Sequence, residues 1–185
     1  MIAPTQLVPI NLCKKLRSRN SHNNYVVILD NLFLNVPIAH TLLKYGIDCL
    51  GITRKNAEGF LSDLIEAKNH NKLFEWGEDV CIEVGKVLCF LWQDNNAVLG
   101  ATTAFSMHKA EDHVVRSRKR PKKTSTNAAI VYRAFQGATI KDLPIPRLID
   151  VYNHHMNGID LANQMRYSFT CQRPHQIKWW RSVAF

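Results

Sequence analysis

The stretch Tyr25-Val26-Val27-Ile28-Leu29-Asp30-Asn31 decides the expected fold, because it places a carboxylate directly after a short apolar run. A continuous run of this length, rich in β-branched residues, is typical of a strand buried on both faces. A carboxylate at the end of such a strand supplies the hard oxygen ligands that Mg²⁺ prefers. We therefore take Asp30 as the first candidate site residue.

The sequence that follows completes a parallel α/β unit. Pro37 favours the start of a helix that runs through Leu42, and Gly46 suits a left-handed cap at its end. Residues 47–53 form another apolar run and predict a second strand. Strand, helix and strand in this order predict two parallel strands, with Asp30 at the edge of a sheet where sites often lie.

The middle of the chain predicts antiparallel hairpins followed by a charged segment. Turn-forming Gly and Asn residues separate three short apolar runs, at 80–84, 87–92 and 97–105. Arg116 to Lys123 then carries six basic side chains in eight residues, and their mutual repulsion predicts a solvated loop or linker. The same composition suits a nuclear localisation signal or non-specific phosphate contacts, and the sequence leaves these interpretations open.

Helical periodicity returns in the last third of the chain. Apolar residues at helical spacing follow Pro146 and again follow Gly158, which predicts two segments with a bend between them. Asp160 lies in the second segment and is the second candidate carboxylate. The helix dipole also favours an aspartate near a helix start, so a purely local role stays open. We interpret the adjacent His154 and His155 as surface residues.

Composition excludes several classes of protein. The chain has 185 residues, of which 46% are hydrophobic and 21% charged, and this suits one domain with or without an insertion. Its 24 Lys and Arg against 15 Asp and Glu give a net charge of +9, which favours a polyanionic partner such as nucleic acid. Five cysteines without C-x-x-C spacing argue against a zinc module or a secreted disulfide framework. No secretory signal or membrane span is visible, so we expect a nuclear or cytoplasmic protein with no membrane partner.

Several motifs in collinear order resemble the transposase domain of piggyBac-type elements, a DDE family with a ribonuclease-H-like fold. Each motif alone is a weak signal, and the full set, spread over residues 24–185, is specific. The matching segments are Leu29-Asp30-Asn31-Leu32-Phe33 followed by Pro37 and Leu42-Leu43, then Tyr45-Gly46-Ile47, Gly51-Ile52-Thr53-Arg54-Lys55-Asn56, Leu91-Trp92-Gln93-Asp94-Asn95, Val151-Tyr152-Asn153, Met156-Asn157-Gly158-Ile159-Asp160-Leu161-Ala162-Asn163-Gln164-Met165, and Arg173 with Lys178-Trp179-Trp180.

The resemblance implies both a site and a chemistry. In this family three aspartates bind two Mg²⁺ ions, and the enzyme cuts and joins DNA at TTAA targets. Asp30 corresponds to the second catalytic aspartate and Asp160 to the third, so both are implied catalytic residues and metal ligands. The first aspartate lies on an earlier strand that we expect this chain to lack. Many members have an acidic residue three positions after the third aspartate, and here that position is Asn163. The family's Cys-rich zinc module would follow Phe185.

The resemblance also suggests which residues contact DNA. Arg54 and Lys55 follow the second predicted strand and would lie near phosphates at the ancestral site, although a solvated strand end is an alternative. We favour packing over base stacking for Trp179 and Trp180. The other candidate nucleic-acid-binding residues are Arg116, Arg118, Lys119, Arg120, Lys122 and Lys123.

We therefore expect an α/β chain with a partial ribonuclease-H-like fold and a small β-rich insertion. The expected function is that of a piggyBac transposase remnant, ancestrally a Mg²⁺-dependent cut-and-paste enzyme, with DNA as partner and incomplete catalysis because the first aspartate is missing. Two alternatives stay open: a domesticated DNA-binding or protein-interaction module without catalysis, and a gene fragment whose missing exon supplies that aspartate. The sequence also admits a homo-oligomer. The expected parts are a weakly structured basic N-terminus (1–23), a first ribonuclease-H-like part (24–60), the insertion (61–115), a basic linker and return segment (116–143) and a helical second part (144–185).

Overall fold

A five-stranded mixed sheet is the centre of this computed structural model, which describes residues 4–70, 74–121 and 128–168. The strand order is β1-β2-β5-β4-β3, and two further strands, β6 and β7, form a separate sheet. In chain order the elements are α1 (Pro4–Arg19), β1 (Tyr25–Leu29), α2 (Val36–Lys44), β2 (Ile47–Ile52), α3 (Ser62–Asn69), β3 (Asp79–Val84), β4 (Val87–Gln93), β5 (Ala97–Thr102), β6 (His113–Lys119), α4 (Ala128–Phe135), β7 (Ile140–Pro146), α5 (Arg147–His155) and α6 (Gly158–Ser168).

The predicted strand–helix–strand unit is confirmed. β1 and β2 pair in parallel, in a register that ends with Leu29 opposite Gly51. The side chain of Asn35 accepts a hydrogen bond of 2.8 Å from the N–H of Ile38 and so caps α2. Gly46, at φ +67°, ends the helix in the left-handed conformation. The expected burial of β1 on both faces is wrong, because β1 is an edge strand and packing around Val26 is incomplete, with 46% of that residue exposed.

The predicted hairpins are present, and they extend the main sheet. β3, β4 and β5 form antiparallel pairs, and β5 continues onto β2 with Ile52 opposite Gly100. All seven residues of β4 are buried. The strands of the expected β-rich insertion share one sheet with β1 and β2, because the edge of β2 away from β1 is paired with β5.

The predicted loop over the basic run is wrong for residues 116–119, which belong to β6. Ion pairs relieve the repulsion between the basic side chains, because Arg116 lies 2.6 Å from Asp150 and Arg118 lies 2.9 Å from Asp94. β7, the partner strand, contains Pro144 and Pro146, which the edge of a two-stranded sheet tolerates. Lys122 and Lys123 lie outside the described residues, as do Trp179 and Trp180.

The N-terminal segment is a helix of 16 residues, although the sequence predicted weak structure there. Tertiary packing explains the difference, because Ile10 and Cys13 are 2% and 5% exposed against the core. The sequence analysis also missed α3 and α4. The two helical segments expected in the last third are confirmed as α5 and α6, and α6 begins at Gly158.

Two apolar clusters lie on the two faces of the main sheet. Helices α1, α2 and α3 contribute to the first, which contains Cys49 and Leu91 from the strands. Helix α5 contributes to the second, which contains Leu50 and Trp92. Neighbouring strand residues enter opposite clusters because side chains alternate between the faces of a sheet. Among the described helices, none combines the length and apolarity needed to cross a membrane.

Candidate functional site

A cavity of about 580 Å³ lies between α1, β1 and the junction of α5 with α6. Both carboxylates that the sequence singled out, Asp30 and Asp160, line this cavity. Much of the remaining wall is apolar and includes Val8 and Leu12 from α1 and Leu29 from β1. The fold thus brings to one cavity two residues that lie far apart in the sequence, while their role as metal ligands stays a prediction.

A tight turn positions Asp30 after β1. The backbone carbonyl of Asp30 accepts hydrogen bonds from the N–H groups of Phe33 and Leu34, at 3.0 and 3.2 Å. One carboxylate oxygen accepts a bond of 2.6 Å from the N–H of Asn31. The side chain is exposed. The backbone is therefore held by the turn, and the second carboxylate oxygen is not engaged by that local hydrogen bond.

Asp160 lies in the first turn of α6 and is exposed. A negative charge is favoured there by the helix dipole, so the position suits a carboxylate whether or not it binds a ligand. Asn163 follows one turn later and is half-buried. The neutral amide of Asn163 offers a metal ion an oxygen ligand but brings no negative charge.

Tyr152 and His155 also line the cavity, although the sequence predicted neither as a site residue. His155 is exposed, as expected for a surface histidine. Burial raises the pKa of the Tyr152 hydroxyl, and the negative charge of the Asp30 carboxylate is the second, smaller cause. His154 contacts the preceding turn instead, with Nδ1 2.7 Å from the carbonyl oxygen of Asp150. The available signal was the spacing of Tyr152 and His155, since residues three apart share one face of a helix.

Among the residues that the structure describes, the cavity offers two carboxylates and one imidazole as candidate metal ligands, Asp30, Asp160 and His155. In residues 4–70, 74–121 and 128–168, no group of three or more His, Cys, Asp and Glu side chains could hold a metal ion. Asp30, His155 and Asp160 thus share a cavity without converging on one point. Two ions that are bridged for phosphoryl transfer need several carboxylates around them.

The basic candidates fall into two groups. Arg54 is next to the turn that holds Asp30, since Nε and Nη2 each lie 3.4 Å from Oδ1 of Asn31. Lys55 is exposed. Burial of Lys68 lowers the pKa of that side chain, and the positive charge of Lys55 lowers it further. Arg54 and Lys55 both follow the carboxyl end of β2, and Arg54 contacts the residue that follows Asp30.

The second group lies on and after β6. The two hydrogen bonds from Arg116 lower the pKa of Asp150, so the pair is charged well below neutral pH. Arg118 is paired with Asp94. Arg120 donates a bond of 2.8 Å to the carbonyl oxygen of Gly137 and stacks 5.0 Å from the ring centre of Tyr132. These contacts compete with phosphate binding, whereas Lys119 is exposed.

Comparisons with known proteins agree with the fold and with the motifs. A family model described as Transposase IS4 matches residues 3–185. No curated protein sequence matches the chain significantly. A solved structure, the cryo-EM structure of the piggyBac transposase synaptic complex with hairpin DNA, matches with a TM-score of 0.56 and 17% identity. The match covers 93% of this chain and 30% of that chain. The ribonuclease-H-like α/β fold expected from the piggyBac resemblance is therefore confirmed, and because the family model spans almost the whole sequence, the chain belongs to the Transposase IS4 family.

Proposed function

We propose that this chain is a piggyBac-type transposase-derived domain that binds DNA and keeps two acidic residues of the ancestral site without catalysing strand cleavage by itself. The observation that carries the proposal is that Asp30 and Asp160 line one cavity, from the end of β1 and the first turn of α6. The order of the motifs that surround both residues supports the same ancestry.

Charge balance supports the loss of catalysis. Two Mg²⁺ ions about 4 Å apart repel each other by about 4 kcal/mol in water, and by several times more near a protein surface. Asp30 and Asp160 supply two negative charges, and Asn163 supplies none. DDE transposases generally use divalent metal ions, and we propose Mg²⁺ as the ancestral ion. Held by these two carboxylates alone, a bimetallic centre lacks the anionic ligands that would offset the repulsion.

The edge of the main sheet indicates where a third carboxylate would come from. Among the described strands, β1 pairs only with β2, so its outer edge has hydrogen-bonding groups for one more strand. A residue on a strand paired there would lie beside Asp30. An aspartate on such a strand would supply the third carboxylate.

The first test is DNA nicking by the purified chain. We expect no Mg²⁺- or Mn²⁺-dependent conversion of supercoiled plasmid above the background of the Asp30→Ala, Asp160→Ala double variant, because the ligand set is incomplete. Asp63→Ala is the matched control, since Asp63 is an exposed carboxylate outside the cavity lining. If the unmodified chain and Asp63→Ala nick the plasmid and the double variant does not, the site works and the proposal is overturned.

The second test is the salt dependence of DNA binding. Replacing Arg54 and Lys55 together by alanine is expected to flatten the slope of log K against log salt by about 2 units, because each lost phosphate contact releases one fewer counterion. Lys86→Ala with Lys109→Ala removes the same charge from two exposed positions elsewhere and serves as the control. Fluorescence anisotropy with duplex DNA at several salt concentrations measures both slopes. Equal slopes for the two double variants would exclude Arg54 and Lys55 as a specific contact.

The alternative is a domesticated module that binds DNA or a protein through its basic surface and has no chemistry. The net charge of +9 favours it, and DNA binding without nicking is the result that it shares with the main proposal. Nuclear localisation through residues 116–123 and homo-oligomerisation stay predictions. A fluorescent fusion in which these basic residues are replaced by alanine tests the first, and sedimentation tests the second.

A further inference from the structure

A row of reactive side chains lies on β3, outside the cavity that contains Asp30. Asp79, Cys81 and Glu83 alternate along β3 and therefore share one face of the strand. His108 lies over this row, with Nδ1 3.6 Å from Sγ of Cys81 and Nε2 3.3 Å from Oε1 of Glu83. His113 pairs with Asp79 at 3.4 Å.

The three groups Cys81, His108 and Glu83 have the arrangement of a nucleophile, a base and a group that orients the base. A carboxylate at Nε2 favours the imidazole tautomer with its proton on that nitrogen. The lone pair of Nδ1 then faces the thiol and can accept its proton. The described residues contain no group suited to hold a metal ion, so we interpret the cluster as a thiol–imidazole pair.

Cys81 also differs from the other described cysteines in its accessibility. Cys13, Cys49 and Cys89 are buried, whereas Cys81 is partly exposed. Burial is the main cause that raises the pKa of the Cys49 thiol to about 12, and burial raises that of Cys89 to about 11. Within the described part of the chain, the accessible thiol of Cys81 is the one that lies beside a histidine base.

We propose that Cys81 is a modification site at which a small disulfide, such as glutathione disulfide, forms a mixed disulfide with His108 as general base. His108 Nδ1 takes the thiol proton, and the sulfur attacks one sulfur of the reagent. A new S–S bond forms while the old one breaks, and the leaving thiolate takes the electron pair and then the proton from His108. The exchange needs no further oxidant.

The surrounding charges predict how the rate depends on pH. Burial, then the carboxylates of Asp79 and Glu83, raise the pKa of the Cys81 thiol, so little free thiolate is present at neutral pH. The reaction near pH 7 therefore depends on proton transfer to His108, while at high pH the thiolate forms without it. The contribution of His108 is expected to be large at pH 7 and small at pH 10.

The test is the rate of mixed-disulfide formation with glutathione disulfide, measured for each cysteine by peptide mass spectrometry on the reduced full chain. We expect Cys81 to react at least about tenfold faster than Cys49 and Cys89 at pH 7. His108→Ala is expected to slow Cys81 roughly tenfold at pH 7 and little at pH 10. Glu83→Gln is expected to slow the reaction of Cys81 at pH 7 less than His108→Ala does.

His22→Ala is the matched control, because His22 is an exposed histidine on another part of the chain. Circular dichroism checks the fold of each variant. If His108→Ala disturbs the fold, the rate for His108→Asn and the pH profile of the unmodified chain give the same information. A Cys81 rate equal to that of the buried cysteines, or an equal loss for His108→Ala at pH 7 and pH 10, would overturn the proposal. The inference does not depend on the proposed transposase ancestry.

Discussion

Replacing Gly51 with alanine is expected to lower the free energy of unfolding by about 3 kcal/mol, a large cost for the addition of one methyl group. A Cβ atom at Gly51 would overlap the carbonyl oxygen of Leu29 on β1 and would lie 3.1 Å from Cδ2 of Leu34. The overlap with Leu29 involves backbone, so it is relieved only by moving β1 away from β2. Because Leu29 directly precedes Asp30, the same shift would displace the candidate site.

Gly158→Ala is the matched control for this substitution. Among the described residues, leaving aside the chain neighbours and the nearby backbone of the same helix, no atom lies within 4 Å of a Cβ placed at Gly158, the first residue of α6. We expect no loss of stability there, because alanine is favoured over glycine in a helix by up to about 1 kcal/mol. Urea denaturation followed by circular dichroism measures both variants. A Gly51→Ala midpoint indistinguishable from that of the unmodified chain would mean that β1 and β2 are not paired as described.

Replacing Trp92 with alanine is expected to lower the free energy of unfolding by about 3–5 kcal/mol. The substitution leaves a large cavity in the apolar cluster that contains Trp92 and helix α5. Trp92 is 2% exposed and lies on β4, which is buried along its whole length. Its ring packs edge-on against Trp76 with 6.0 Å between ring centres, and Trp76 packs in the same way against Phe135. The substitution therefore removes the residue of β4 that connects, through Trp76, to Phe135 of α4.

Trp92→Phe separates the packing contribution from that of the indole N–H. Among the described residues, Nε1 of Trp92 is buried and has no hydrogen-bond partner, so removing this group also removes an unfavourable buried donor. We expect the phenylalanine variant to lose less than half of what the alanine variant loses. Val115→Ala, at a residue that is 67% exposed, is the surface control and is expected to change stability by about 0.5 kcal/mol at most. Equal losses for Trp92→Phe and Trp92→Ala would contradict the packing argument.

Local patterns predicted the elements whose ends are set by nearby residues. β1 begins and ends at the residues expected from the apolar run, and α2 ends just before Gly46, whose left-handed conformation stops the helix. The hairpin turns at Gly85 and at residues 94–96 were likewise predicted from the turn-forming residues within them. The two candidate carboxylates were found through motif order, since Asp30 follows a recognisable strand and Asp160 follows a recognisable glycine.

Contacts between distant residues explain the failures. α1 is a weakly patterned sequence that becomes a helix because Ile10 and Cys13 reach the core. The basic run forms a strand because Arg118 meets Asp94, 24 positions earlier, and Arg116 meets Asp150, 34 positions later. His155 lines the cavity because α5 packs against β2, the parallel neighbour of β1.

The order of residues along the chain was sufficient to establish the family resemblance and the parallel β1–β2 unit and to select the two candidate aspartates, because each depends on spacing within short segments. Folding in three dimensions was required to bring those aspartates to one cavity, to join the hairpins to the main sheet and to place His108 against Cys81. These outcomes depend on which distant surfaces and charges meet, and their energies come from burial and pairing across the chain rather than from local preference.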